Sequence, residues 1–308
     1  MHEWLYAYPS GRAQSWIERA WDAEEQQYQW GRMEALKGQK KLWRGSTREN
    51  ALFLSQAVQL NCKQLQPVFD WFQRTLRIIG IRGVTRSYTK RLCSHDEHKK
   101  NLIVKFLQGA DLNVVGLEIK KNTLDESDFV FPDHVPEAAR KRLMQDAALS
   151  VQLHHRGDGD SIISFDLDDE SDGTQKLFAF AGPLLDVLGG GSVLFVDELH
   201  GHLHPLIVKM LVGLVNNSET NPNNAQLVFT THETSILSQN VFRRDQIWLA
   251  DQEHRDGTEL TPLSDFRVRK QAEDIERFYL DGRYGAVPYL NGLYREFAEA
   301  METLRGHG

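Results

Sequence analysis

The chain has 308 residues, 41% of them apolar, enough to bury one large core or two ordinary ones and to exclude disorder as the default. Two cysteines, Cys62 and Cys93, are too few for a disulfide framework or a zinc knuckle. Lys and Arg number 23 against 18 Asp and Glu in residues 1–150, and 13 against 25 in residues 151–308, so the halves carry +5 and −12 within a total of −7. The opening MHEWLYAYPSGR lacks the basic start and apolar core of a signal peptide, and no apolar run approaches the roughly 20 residues of a membrane span. The expectation is a cytoplasmic protein with no membrane contact.

Alternation in EWLYAY, then in WIERAWD and YQWG around the polar AEEQQ, predicts a strand and a hairpin in a small antiparallel sheet. From Ser46 the spacing turns helical: STRENALFLSQAVQL opens on a Ser/Thr cap with Glu49, and QLQPVFDWFQRTLRII extends an amphipathic pattern, so residues 47–80 are expected to be mainly helical. Residues 82–100 are poorly patterned and read as a loop or insertion. Within 74–105, nine basic residues (Arg74, Arg77, Arg82, Arg86, Lys90, Arg91, Lys99, Lys100 and Lys105) face only Asp96 and Glu97, an island able to meet polyphosphate, although a solvated helix surface reads the same way. PEAARKRLMQDAAL predicts a helix, and QLHHR and IISFDL predict strands split by the turn RGDGDS.

Beyond residue 160 the order is strand, helix, strand, helix, strand: IISFDL, GTQKLFAFAGPLLDVL, SVLFVDE, PLIVKMLVGLVNN and AQLVFTTHE. Apolar strands alternating with helices imply an α/β fold with a parallel sheet buried on both faces. RRDQIWLAD adds a strand and VRKQAEDIERFYL a helix.

Three short motifs fall at the ligand-binding edge of such a sheet. In SVLFVDE, Asp197 and Glu198 end a strand: Asp197 is placed to hold Mg2+ and Glu198 to activate a water, as phosphoanhydride hydrolysis requires. In DDESDGTQK, Ser171, Gly173 and Gln175 open a helix whose free N–H groups and positive dipole end suit a phosphate. In TTHE, His232 follows a strand and suits a terminal phosphate. Each alone reads better as a cap or an ordinary strand end; their order and spacing are what point to a nucleotide. The histidines in DELHGHLHP, His200, His202 and His204, offer a competing zinc hydrolase, since three imidazoles leave an open position on Zn2+.

In this order the chain resembles the ABC-type AAA ATPases related to SMC and DNA-repair ATPases, in particular those of bacterial defence and restriction-associated loci. ESDGTQ matches their signature motif, VLFVDE their Walker B motif, DELHGHLHP the segment into their D-loop, and TTHE their switch histidine; DIERFYLDGRYGAVP is similar to a C-terminal pattern. The resemblance implies a P-loop NTPase head with a mainly parallel sheet flanked by helices, an N-terminal antiparallel β part and a helical insertion. It divides the chain into a partial β lobe (1–45), a mostly helical insertion or arm (46–150) and a C-terminal ATPase lobe (151–308). It implies ATP and Mg2+ as cofactors, Asp197 as metal ligand, Glu198 as catalytic base and His232 as γ-phosphate sensor. Ser171, Gly173 and Gln175 would contact ATP sandwiched in a homodimer, and Gln59 in AVQLN is the candidate Q-loop glutamine. A nuclease or Toprim-type effector and nucleic acid are the partners implied, in phage defence or nucleic-acid surveillance.

The phosphate loop G-x-x-x-x-G-K-[ST] matches nowhere in the sequence. The reading preferred on sequence is a chain lacking a strand, loop and helix of at least about 30 residues, with an exposed sheet edge where they belong. The alternative is a split or degenerate ATPase acting as a dimerising scaffold for a nuclease.

Overall fold

Alternation at the start of the chain builds a three-stranded antiparallel sheet, β1 (His2–Ala7), β2 (Gln14–Asp22) and β3 (Gln27–Trp30), in that order. The computed structural model describes residues 2–80, 83–110, 112–124, 129–132, 134–238, 240–253, 257–267, 274–288, 297–298 and 301. One face of this sheet packs Leu5, Ile17 and Trp30 against α1 (Lys40–Ser46) and α2 (Phe53–Gln59) through Trp43, Phe53 and Ala57. The Ser46 cap expected for α2 does not form. Its first N–H groups, those of Phe53 and Leu54, instead donate to the Glu3 carboxylate at 2.9 Å each. Glu3 in turn pairs with the buried Arg19 at 2.8 Å, whose guanidinium lies 4.2 Å from the Tyr28 ring centre. A buried charge is tolerated only when so paired.

Residues 47–80 are less helical than expected. After α2 and α3 (Gln66–Asp70), a π-turn at Trp71–Thr75 leads into β4 (Leu76–Ile79). The LRII run carries no polar alternation, so its periodicity does not separate a helix end from a buried strand. The stretch read as a loop, 82–100, contains α4 (Arg86–His95) and the start of α5 (Glu97–Gly109), which Asp96 caps by accepting from the Lys99 N–H. Arg82 lies outside the described residues. Strands β5 (Val114–Lys121), β6 (Leu149–Arg156) and β7 (Ile162–Asp166) form an antiparallel sheet, with α6 (Glu137–Ala147) between β5 and β6. IISFDL therefore does not enter the parallel sheet.

That sheet has the order β4, β8 (Val193–Val196), β9 (Gln226–Phe229), all parallel, with α7 (Asp172–Gly190) before β8 and α8 (Pro205–Asn216) before β9. Leu194 and Val196 join one cluster with Leu177, Phe178 and Leu184 of α7, Val208 and Leu211 of α8, and Ile103 and Leu107 of α5. The central helix α7 contains Pro183, which removes one helical hydrogen bond and frees the carbonyl four residues earlier, that of Ala179. Thr89 of α4, fully buried, repairs the break by donating its hydroxyl to the Ala179 carbonyl at 2.9 Å and accepting from the Gly182 N–H at 3.3 Å. Gly182 permits the approach, since a Cβ there would lie 2.6 Å from the Thr89 hydroxyl.

The expectation that the strands are buried on both faces is not met. Register aligns Ile78, Phe195 and Val228 across the three strands, and they are 69%, 37% and 45% exposed. The opposite row is buried against α7 and α8. Among the described residues, one face of the sheet is thus covered by helices and the other is bare, and β4 and β9 are both edges. The C-terminal hairpin of β10 (Trp248–Glu253) and β11 (Gly257–Pro262) packs with α9 (Ile275–Leu280) in a separate cluster. The first part of the predicted C-terminal helix, 268–273, lies outside the described residues. Gly282 and Gly285, at φ 76° and 70°, form a turn that buries Tyr284. No helix among the described residues is long and apolar enough to cross a membrane.

Two outcomes follow from this packing. Thr89→Val leaves the Ala179 carbonyl unpaired and lowers stability by about 1–3 kcal/mol in urea unfolding, whereas Thr89→Ser retains most of it. Val228→Lys changes stability by only about 0.5 kcal/mol, yet reduces self-association in sedimentation velocity and apolar dye binding, because it charges a bare apolar row beside an open strand edge.

Candidate functional site

The acid pair stands where the sequence places it, at the C-terminal end of β8. Asp197 is half-buried and Glu198 exposed. The Asp197 N–H donates to the Ile79 carbonyl at 2.8 Å, which carries the ladder with β4 one residue past the strand end. On the other side, Thr230 follows β9 in register. Its hydroxyl donates to Asp197 Oδ1 at 2.5 Å and accepts from the Glu198 N–H at 2.9 Å. One hydroxyl therefore holds the Asp197 carboxylate and the Glu198 backbone together, with Asp197 Oδ2 as the second carboxylate oxygen, a hard donor of the kind divalent cations take. A single carboxylate oxygen of this kind fits Mg2+ only where phosphate and water supply its other ligands.

Glu198 has φ 54°, a left-handed conformation that costs a residue with a side chain about 1–2 kcal/mol. The surroundings hold it there. Its N–H is taken by Thr230, and its carbonyl accepts from the Gly201 N–H at 3.2 Å and from Lys176 Nζ at 3.3 Å. Lys176 Nζ also donates to the Gly201 carbonyl at 2.6 Å. Burial lowers the Lys176 pKa, opposed by the Glu198 carboxylate.

The helix start predicted to face a phosphate is the N-terminus of α7. Ser171 is its N-cap, accepting from the Thr174 N–H at 3.2 Å. Gly173 is approached by the acid-pair loop: a Cβ there would lie 3.0 Å from the His202 carbonyl. The loop 198–204 is thus seated on the first turn of α7. Gln175 points elsewhere. Its amide nitrogen donates to the Glu170 carbonyl at 2.8 Å and its oxygen accepts from Arg86 at 3.0 Å, so it fastens the chain before the helix to α4.

His232 is exposed beyond β9 with its ring 5.8 Å from that of His200, and His200 Nδ1 lies 3.1 Å from the Thr231 hydroxyl. The strand end carrying His232 and the acid-pair loop are therefore joined at two points. Gln59 is an exposed residue at the end of α2, in the N-terminal cluster, and no hydrogen bond among the described residues ties it to the acids.

The zinc alternative is corrected by geometry. His200 meets Thr231, His202 lies 3.8 Å from Asp172, and His204 caps α8 by accepting from the Leu206 N–H at 3.2 Å. The three diverge, and among the described residues no group of three His, Cys, Asp or Glu side chains is placed to hold a metal. The basic island is likewise largely occupied within the chain: Arg86 pairs with Asp168, Arg91 with Asp146, Lys99 with Asp186 and Lys100 with Glu97. Lys90 donates to the Leu149 carbonyl.

Sequence reasoning missed Thr230 and Lys176. Thr230 is the neighbour of Asp197 only through the β8–β9 register, and Lys176 reaches its carbonyls across a loop; neither relation leaves a spacing in the sequence. The strain at Glu198 is testable. Glu198→Gly removes the left-handed penalty and raises stability by about 1 kcal/mol, read as a higher midpoint in thermal unfolding, while Glu198→Ala gains nothing.

Against known proteins, a family model described as "AAA domain, putative AbiEii toxin, Type IV TA system" matches residues 72–238. Comparison with curated proteins returns no match. The matched span begins one residue into the π-turn before β4 and runs past His232, taking in β4, α7, β8, α8 and β9 with the acid pair and the helix start. It covers more than half of the 308 residues, and on that ground the chain belongs to this AAA-domain ATPase family.

Proposed function

We propose that the chain is the acid-pair and signature-helix portion of a Mg2+-dependent ATPase of the ABC type. The observation that carries this reading is the Thr230 hydroxyl held between the Asp197 carboxylate and the Glu198 N–H, which fixes the Asp197 side chain and the Glu198 backbone at a parallel-sheet edge. Asp197 would hold Mg2+, which when bound supplies the charge neutralisation that a polyphosphate needs. Glu198 accepts the proton of the attacking water, and His232 donates a hydrogen bond to the terminal phosphate. Ser171 and Gly173, at the positive end of α7, face ATP held by a second copy. The seating of Gln175 against Arg86 and Glu170 favours a supporting role for it rather than a nucleotide contact. Gln59 stays a candidate Q-loop residue on the resemblance alone.

A phosphate loop is required and is not in the sequence. The bare row Ile78, Phe195 and Val228 and the open edge of β9 offer the place for a strand–loop–helix unit that supplies it, the strand extending the sheet and the helix covering the bare face. The ATPase cycle would drive an effector such as a nuclease or Toprim-type protein acting on nucleic acid in phage defence. The scaffold reading is favoured by one observation, the missing loop, and predicts no nucleotide binding in any form of the protein.

The test measures ATP binding, dimerisation and hydrolysis in a form of the protein carrying a phosphate loop. Glu198→Gln is expected to keep ATP-dependent dimerisation and to lower turnover by about 10²–10⁴, and turnover at the wild-type rate sinks the role given to Glu198. Gly173→Asp is expected to abolish ATP-dependent dimerisation; unchanged dimerisation counts against the sandwich.

A further inference from the structure

We infer that Lys176 is a positioning residue that clamps the Glu198–Gly201 loop onto the first turn of α7, so that the catalytic acid and the helix start at Ser171–Gly173 move as one body. The role of Glu198 as the acid rests on the ATPase reading above; the clamp itself does not.

The contacts that carry the clamp come from both sides of the loop. From α7, Lys176 Nζ donates to the carbonyls of Gly201 and Glu198 at 2.6 and 3.3 Å. Closer to the helix start, Gly173 leaves room for the His202 carbonyl, and Asp172 lies 3.8 Å from His202 Nδ1. From β9, Thr230 takes the Glu198 N–H, and its carbonyl accepts from the Leu199 N–H at 3.1 Å. Glu198 and His202 both have positive φ, 54° and 61°. Backbone in this region persists only where the surroundings over-determine it. Lys176 is the one cation that contacts the loop from α7 among the described residues, and an ammonium presents three donors where two carbonyls converge.

The physical consequence is a link between two ends of the chemistry. Ser171 and Asp172 at the start of α7 are exposed beside the loop, and Glu198 is exposed on the loop itself. A displacement of the first turn of α7 is carried by Lys176 to the carbonyl of Glu198 within one residue of the acid side chain. The neighbouring titratable groups are Glu198, His200 and His202 on the loop and Asp172 on the helix. Burial holds the Lys176 pKa below 10.5. As pH rises through it, the charge on the donor is lost and the clamp weakens; Arg in the same place keeps its charge throughout.

The test uses the chain as it is, without nucleotide, so failure of the clamp and failure of the ATPase reading are separate results. Backbone carbonyl and amide resonances of Glu198, Gly201 and Leu203 are followed from about pH 7 to pH 10.5 in wild type, Lys176→Arg and Lys176→Met, with the unfolding midpoint of each measured as a control of folding. Expected in wild type is a shift of the Gly201 carbonyl resonance that titrates with Lys176. Lys176→Arg holds the low-pH position across the range. Lys176→Met shows no titration and exchanges its Gly201 and Leu203 amides about tenfold faster at pH 7, in line with loss of a charge-assisted hydrogen bond. A Gly201 carbonyl that does not titrate in wild type, an Arg variant that titrates like wild type, or a folded Met variant with unchanged exchange would each overturn the clamp.

Discussion

Everything at the candidate site depends on where α7 lies, and a repaired helix break fixes that. Pro183 interrupts the longest described helix near its middle, and Thr89 restores the lost partner from α4 only because Gly182 lets the two backbones come together. The joint sets both the depth and the rotation of α7 against α4. At one end of the helix, Gly191 in left-handed conformation turns the chain into β8, with its α-carbon facing the Asn223 carbonyl so closely that a side chain has no room. At the other end, the same rotation presents Gly173 and Lys176 to the loop that follows the acids. The acid pair and the helix start are brought together by packing at Pro183, 10 residues along the chain from Gly173 and 14 from Asp197.

The site is built from backbone and hydroxyl groups more than from charge pairs. Thr230 and Lys176 bind the Glu198 peptide from both sides, and the strain they maintain is the kind that stability alone would remove. Around it, acidic residues at 166–172 are balanced from within: Arg86 pairs with Asp168, and His155 lies 2.7 Å from Glu170. Two ion pairs, Arg86 with Asp168 and Lys99 with Asp186, join the positive half of the chain to the acidic half, whereas Arg91 with Asp146 and Lys100 with Glu97 close within the positive half.

Legibility in the sequence followed the range of the interaction. The hairpin at residues 14–30, α6, the helix opening at Ser171 and the strand ending in Asp197 and Glu198 all rest on local periodicity or capping, and the structure has them where the residues predict. The third strand of the parallel sheet was not legible, because LRII has the same apolar run whether it ends a helix or enters a sheet, and only its pairing with VLFV decides. The cap of α2 was misread for a related reason: Ser46 and Glu49 are near in sequence, but Glu3, fifty residues away, reaches the N–H groups first. At the site, the acids and the helix start were legible as letters, whereas Thr230 and Lys176 were not, since their partners are a neighbouring strand and a loop backbone. Gln175 shows the converse: a residue that fits a motif and yet turns inward to a structural network.

The bare face of the parallel sheet adds an argument that the motifs alone do not contain. A strand exposed on one side normally alternates apolar with polar residues, yet VLFV and LVF are apolar in both directions, and the register lines up Ile78, Phe195 and Val228 in one continuous row. Such strands are written for burial on two faces. The row ends at the same edge where Asp197 and Glu198 stand; among the described residues that edge has acids, a helix start and a histidine, while the phosphate-loop motif matches nowhere in the sequence. Two deficits, one of apolar cover and one of phosphate-binding backbone, thus meet at a single place on the molecule. A strand–loop–helix unit added at β9 answers both at once: its helix lies over the bare row, and the loop between strand and helix falls at the carboxyl end of the sheet beside the acids. A partner that covered the apolar row without presenting a loop at that end would leave Asp197, held by Thr230, and the exposed Glu198 with no phosphate-binding backbone beside them.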